Sequence, residues 1–209
     1  MDPRPVSPSM LRLPLNRLLA VAPPGQGKTT LLTAIVQRFR AGGMIFDPLG
    51  ELSNVAGIRW DIVTQKRYEF CADGELDDIC KRMADLPPGS AIIGDEFGRW
   101  LPMGVTDNPI LQFLDVARNR GLYLALAEKR PTRLHALATD LADAFLYRPW
   151  RSASARRWLS EAGLNPDLPA PGKFEFYGVP VGQDVTGIAR IDDLADHFGF
   201  YLDIPAMGE

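Results

Sequence analysis

The sequence predicts an α/β fold with a mainly parallel central sheet and helices on both faces. Three observations predict it. Short apolar runs recur at residues 18–22, 44–46, 91–93, 122–127 and 144–147, and they are continuous, as strands covered on both faces must be. Helical stretches lie between them, near residues 28–40, 76–86, 110–120 and 134–141, and such alternation builds a doubly wound sheet. The chain has 209 residues, 46% hydrophobic and 23% charged, which suits one domain with a sizeable core and excludes global disorder.

The elements follow in order. Prolines at 3, 5, 8 and 14 keep residues 1–15 out of helix and central strand. They read as an extended N-terminal arm, either a loose terminus or docked on a neighbouring subunit. The core spans residues 16–180, with a further short strand near 58–63 and one more helix over 153–162. The string "GKFEFYGVPVG", residues 172–182, alternates apolar and polar around glycines and reads as a hairpin or edge strand. Residues 181–209 form an acidic extension packed on or beside the core.

Several classes drop out. No apolar run approaches the roughly 18 residues of a membrane span, and no basic segment followed by an apolar one opens the chain as a signal peptide does. Cys71 and Cys80 read as reduced thiols. With His135 and His197 they make no metal-ligand set, and no Ser-His-Asp order is recognisable. A net charge of −3 argues against a simple polycation. Yet residues 118–157 carry nine basic against three acidic side chains, a net of +6, and residues 161–209 carry nine acids against Lys173 and Arg190, a net of −7. The total therefore conceals a basic face and an acidic one. Arginine outnumbers lysine 18 to 5, which favours forked contacts to phosphate and carboxylate.

The most specific motif is "AVAPPGQGKTT", residues 20–30. It fits a phosphate-binding loop with Ala22 in the first glycine position, an apolar strand before it and an amphipathic helix after it. Pro24, Gly25, Gln26 and Gly27 form the curl, whose amide groups turn towards phosphate oxygens at a helix N-terminus. Lys28 reaches the β- and γ-phosphates of ATP, the Thr29 hydroxyl ligates magnesium and Thr30 touches the α-phosphate. The string "SAIIGDEFG" then sets Asp95 and Glu96 directly after a buried strand, where ligands of such sheets bind. Asp95 holds the magnesium through water, and Glu96 takes the proton of the water that attacks the γ-phosphate.

Three further strings carry a family resemblance. "MIFDPLGELS" at 44–53, "ARNRGLYLALAEKRP" at 117–131 and "PGKFEFYGV" at 171–179 resemble segments of the FtsK/HerA motor ATPases. With the two nucleotide motifs the similarity spans roughly residues 16–180. The chain lacks the extra domains of cellular FtsK and HerA. At this minimal size it resembles the genome-packaging ATPases of tailless, membrane-containing icosahedral viruses. The resemblance implies a three-layer P-loop NTPase of the RecA/ASCE-like kind. It implies an arginine, Arg118, that reaches into the neighbouring subunit's site, with Arg120 and then Arg148 as fallbacks. Lys129 stands where the family usually has glutamine; it senses the γ-phosphate or pairs with Glu128 or Glu96. Asp47 ends its strand at the same sheet edge and caps the turn at Pro48 rather than acting in catalysis.

The leading expectation is therefore an ATPase that moves double-stranded DNA into a viral capsid. It would act as a homo-oligomeric ring, hexamer or pentamer, at a capsid vertex or on a membrane-associated portal protein, soluble in host cytoplasm and virion. The loop "FGRWLPMGVTDNP", residues 97–109, offers Arg99 and Trp100 to grip and stack on nucleic acid, unless Trp100 packs in the core. Arg130 and Arg133 are other contacts; Arg151, Arg156 and Arg157 serve either there or between subunits. The alternatives are a related motor for conjugative transfer or phage assembly, a nucleotide-dependent assembly switch and a small-molecule kinase.

Overall fold

The computed structural model describes residues 10–54, 56–57, 59–64, 74–101, 108–197 and 201–207. Cys71, most of the expected arm and residues 102–107 of the long loop lie outside them.

Each expected apolar run is a strand within one residue of its predicted ends. They are β2 (Arg17–Val21), β3 (Gly43–Phe46), β5 (Ala91–Gly94), β6 (Tyr123–Glu128) and β7 (Ala144–Tyr147). The shorter run near 58–63 supplies β4 (Trp60–Val63), and the glycine-flanked string supplies β8 (Glu175–Pro180), which pairs with β9 (Gly187–Arg190). Among the described residues these form an eight-stranded sheet in the order β4-β3-β5-β6-β2-β7-β8-β9. The first six in that order run parallel, while β8 and β9 turn antiparallel at one edge.

Helices cover both faces, as continuous burial requires. On one face lie α1 (Lys28–Arg38) and α6 (Ile191–His197); on the other lie α2 (Glu75–Ala84), α3 (Pro109–Ala117), α4 (Ala136–Asp140) and α5 (Ala153–Glu161). The strand register divides the core cleanly. Leu18 and Ala20 of β2 pack with Leu31, Leu32 and Ile35 of α1, whereas Leu19 and Val21 pack with the layer of Ile79, Met83, Ile110 and Leu114. Each such buried Leu or Ile contributes roughly 1.5–3 kcal/mol.

Residues 10–14 of the expected arm belong to a two-stranded ribbon. They form β1 (Met10–Pro14), antiparallel to β10 (Tyr201–Pro205) of the same chain. The acidic C-terminal stretch wraps the core: β9 extends the sheet, α6 packs on α1, and β10 returns to β1.

What positions the site is the order β5-β6-β2. The loop after β2, the acids after β5 and the residue after β6 all leave the same carboxyl edge of three adjacent parallel strands.

Candidate active site

The phosphate loop leaves β2 at Val21 and ends where α1 begins. Gly25 and Gly27 both take left-handed backbone, with φ of 71° and 89°, which any side chain would resist. Gly27 caps α1, and its carbonyl accepts the first helical hydrogen bond from Leu31 N–H at 2.9 Å. Pro24, Gly25 and Gln26 form the exposed crest. Lys28 turns back under it and donates to the carbonyls of Ala22 at 2.6 Å and Pro23 at 2.9 Å. Burial pushes the Lys28 pKa down, against the attraction of Asp95, Glu128 and Glu96.

Thr29 joins the loop to the acidic strand end, its hydroxyl donating to Asp95 Oδ2 at 2.8 Å; the other carboxylate oxygen accepts from the Glu96 N–H at 2.8 Å. Burial pushes Asp95 above its ordinary range, although these hydrogen bonds and Lys28 pull it down. A cation would relieve that cost. Thr29 and Asp95 supply hard oxygen donors, the kind magnesium takes while keeping several waters. The donor set therefore fits the ion.

Glu96 is the strained residue of the site. Its φ of 48° is left-handed without being glycine, a cost that persists only where surrounding contacts fix it. Both oxygens are occupied: Oε1 accepts from Lys129 Nζ, and Oε2 from Arg99 Nε and a terminal Arg99 nitrogen, each at 2.6 Å. Burial alone would raise the Glu96 pKa, but the hydrogen bonds and charges of Lys129 and Arg99 prevail and hold it below the ordinary carboxylate value. Of the two partners expected for Lys129, the structure selects Glu96.

A second carboxylate fixes this clamp. Glu128, the last residue of β6, is buried and accepts from Gly98 N–H at 2.8 Å and Arg130 N–H at 2.7 Å. A Cβ on Gly98 would stand 2.6 Å from Glu128 Oε2, so the approach requires glycine. Burial raises the Glu128 pKa against these amide bonds. Glu128 thus ties the turn carrying Arg99 to the strand end carrying Lys129.

No protein-family model and no curated protein matches this sequence. Solved structures do resemble its fold. The genome-packaging NTPase B204 of Sulfolobus turreted icosahedral virus 2, in complex with ATP-γS, superposes with a TM-score of 0.65 at 16% identity, over 85% of this chain and 98% of that one. B204 of Sulfolobus turreted icosahedral virus, described as a DNA-packaging ATPase, gives 0.64 at 14% identity, over 84% and 97%. The N-terminal domain of zonular occludens toxin from Neisseria meningitidis gives 0.54 at 14%, over 87% and 97%. The fold is that of a P-loop NTPase.

In this NTPase fold the sheet edge gathers Lys28, Thr29, Asp95, Glu96 and Lys129; Arg118 is not among them. It stands in the 3-10 turn Arg118–Arg120 after α3, where the chain enters the amino end of β6. That turn lies at the opposite edge of the sheet from the phosphate loop. The fallback arginines are committed within the chain. Arg120 donates to the Ala84 carbonyl and lies over the Phe113 ring, 5.4 Å from its centroid. Arg148 is buried and donates to the carbonyls of Pro171, Gly172 and Glu175 at 3.0, 2.9 and 2.6 Å respectively. Burial lowers its pKa, against the charge of Glu175.

Two further expectations resolve. Trp100 is fully buried and meets Phe46 edge-on at 5.0 Å, so it packs the core and cannot stack on nucleic acid. Its neighbour Arg99 donates to Glu96. The spacing Glu96–Arg99 was the available signal, since one 3-10 turn brings residues three apart together. Asp47 caps its turn: its carboxylate accepts from the N–H groups of Glu51, Leu52 and Ser53 at 2.9, 2.9 and 2.8 Å and from the Ser53 hydroxyl at 2.6 Å. Asp47→Ala strands these donors and should cost about 3 kcal/mol in denaturant unfolding. Its ATP turnover at low temperature should stay near wild type, because Asp47 touches none of the site residues.

Arg130, Arg133, Arg151 and Arg157 are exposed, whereas Arg156 bonds to the Pro166 carbonyl at 3.0 Å and to Asp167. Among the described residues no helix is long and apolar enough to cross a membrane.

Proposed function

We propose that this protein is an ATPase that drives double-stranded DNA into a viral capsid as a homo-oligomeric ring. The observation that carries the catalytic half is one contact: the Thr29 hydroxyl on Asp95 at 2.8 Å, which joins the phosphate loop to the acid pair. The packaging half is supported by the likeness in fold and size to the B204 NTPases, one of them solved with ATP-γS.

Pro24, Gly25, Gln26 and Gly27 cradle the phosphates of ATP, with Lys28 on the β- and γ-phosphates and Thr30 on the α-phosphate. Thr29 and Asp95 would hold a magnesium ion, which would supply positive charge against the phosphates. Glu96 orients the attacking water and takes its proton, while ADP leaves with the β–γ bridging oxygen. The clamp makes this conditional. With Lys129 and Arg99 on it, Glu96 is a poor base; when those cations turn to the γ-phosphate, burial is left to raise its pKa and its basicity returns. Arg118 supplies charge to the next subunit's γ-phosphate. Arg130 and Arg133, both exposed, grip DNA phosphates. The ring sits at a capsid vertex, on a capsid or membrane-associated portal protein.

ATP hydrolysis should therefore rise with added double-stranded DNA and with protein concentration. Arg118→Ala and Glu96→Gln proteins, each inactive alone, should recover part of the activity when mixed, because some boundaries join an intact Glu96 to an intact Arg118. No recovery in demonstrated mixed rings would remove Arg118 from the trans role. A second reading, a nucleotide-dependent assembly switch, is favoured by the resting clamp on Glu96, which suits slow turnover. Hydrolysis indifferent to DNA would select it.

A further inference from the structure

We propose that Phe174 is the platform on which the base of a purine nucleoside triphosphate stacks. The inference rests on the reading of residues 22–30 as an ATP site, and extends it from the phosphates to the base.

Phe174 is 47% exposed, an unfavourable place for a large aromatic ring. It also has a φ of 62°, left-handed without being glycine, a region that bulky residues avoid. The turn that imposes this is firmly built. The buried Arg148 guanidinium gathers the carbonyls of Pro171, Gly172 and Glu175, the Gly172 N–H bonds the Glu175 carboxylate at 3.0 Å, and the Phe174 carbonyl accepts from Ile191 N–H at 3.0 Å. Strain held this way points to a function for the side chain it presents.

The ring lies beside the phosphate loop. A Cβ built on Gly27 would stand 3.9 Å from Phe174 Cδ1, and Gly27 immediately precedes Lys28. Phosphates seated on Gly27–Thr30 bring the nucleoside out next to this ring. One ring face already attracts a partner: the Lys173 ammonium stands 4.8 Å from the centroid. Lys173 is exposed and can yield that face to a base. Among the described residues the other exposed large aromatic is Tyr201, which is in β10, beneath Arg12. A stack reads a π-face common to all bases, so it serves both purines.

Calorimetric titration of the intact protein with magnesium present tests this, using ATP, GTP and inorganic tripolyphosphate. Phe174→Gly keeps the left-handed backbone at no steric cost and removes only the ring; Phe174→Ala and Phe174→Trp complete the set. Wild type should bind both nucleotides more tightly than tripolyphosphate. Phe174→Gly and Phe174→Ala should lose about tenfold for ATP and GTP, as loss of one base–aromatic stack does, with tripolyphosphate unchanged. Phe174→Trp should keep all three affinities. Unchanged nucleotide affinity in Phe174→Gly overturns the proposal, and so does an equal loss of tripolyphosphate, which marks a damaged loop. Wild type that binds tripolyphosphate and ATP equally well overturns the base subsite while leaving the phosphate site standing. Wild type that binds none of the three overturns the ATP site itself.

Discussion

Lys28→Ala should abolish ATP turnover and weaken ATP binding at least about a hundredfold, the scale of a charge-assisted contact to phosphate. The protein should stay folded. In the structure Lys28 Nζ bonds only the carbonyls of Ala22 and Pro23 among its close partners, and a lost pair of such bonds costs about 1–3 kcal/mol. Circular dichroism should show an unchanged fold with a slightly lowered midpoint, and equilibrium binding should show the lost affinity. Normal turnover in the variant would take the phosphates away from this loop.

Glu96→Gln separates binding from hydrolysis. The amide can hold a water but cannot accept its proton, so turnover should fall about a hundredfold or more. Affinity for ATP should hold or rise. The substitution removes the negative charge that occupies Lys129 and Arg99, freeing both cations for the γ-phosphate. Nucleotide titration together with single-turnover hydrolysis reads the two effects apart. Wild-type hydrolysis with the amide in place would move the base elsewhere.

The sheet was legible because strands buried on both faces must be continuously apolar, and the runs later found as β2, β3, β5, β6 and β7 are. The phosphate loop and the Asp95–Glu96 pair were legible because their residue types have few other uses at that spacing and after a strand. Even the Lys129–Glu96 pair was among the alternatives. Less visible were contacts between residues remote in sequence. The β1–β10 ribbon joins the two ends of the chain. Arg148 was a fallback for the trans arginine, but three carbonyls from a later turn enclose it. That same turn bends Phe174 into a backbone its own side chain disfavours, which no local propensity could reveal. Trp100 lay in a loop too long for its connection, and only its packing on Phe46 shows it to be core.

In the proposed function, ATP hydrolysis at the edge shared by β2, β5 and β6 moves double-stranded DNA. Displacement of a third strand from a DNA triplex, followed in real time with the purified protein, measures that motion. Wild type with ATP and magnesium should displace the strand, and Glu96→Gln should bind ATP yet displace none. Brisk ATP hydrolysis by wild type on the same DNA with no displacement would contradict a translocating motor.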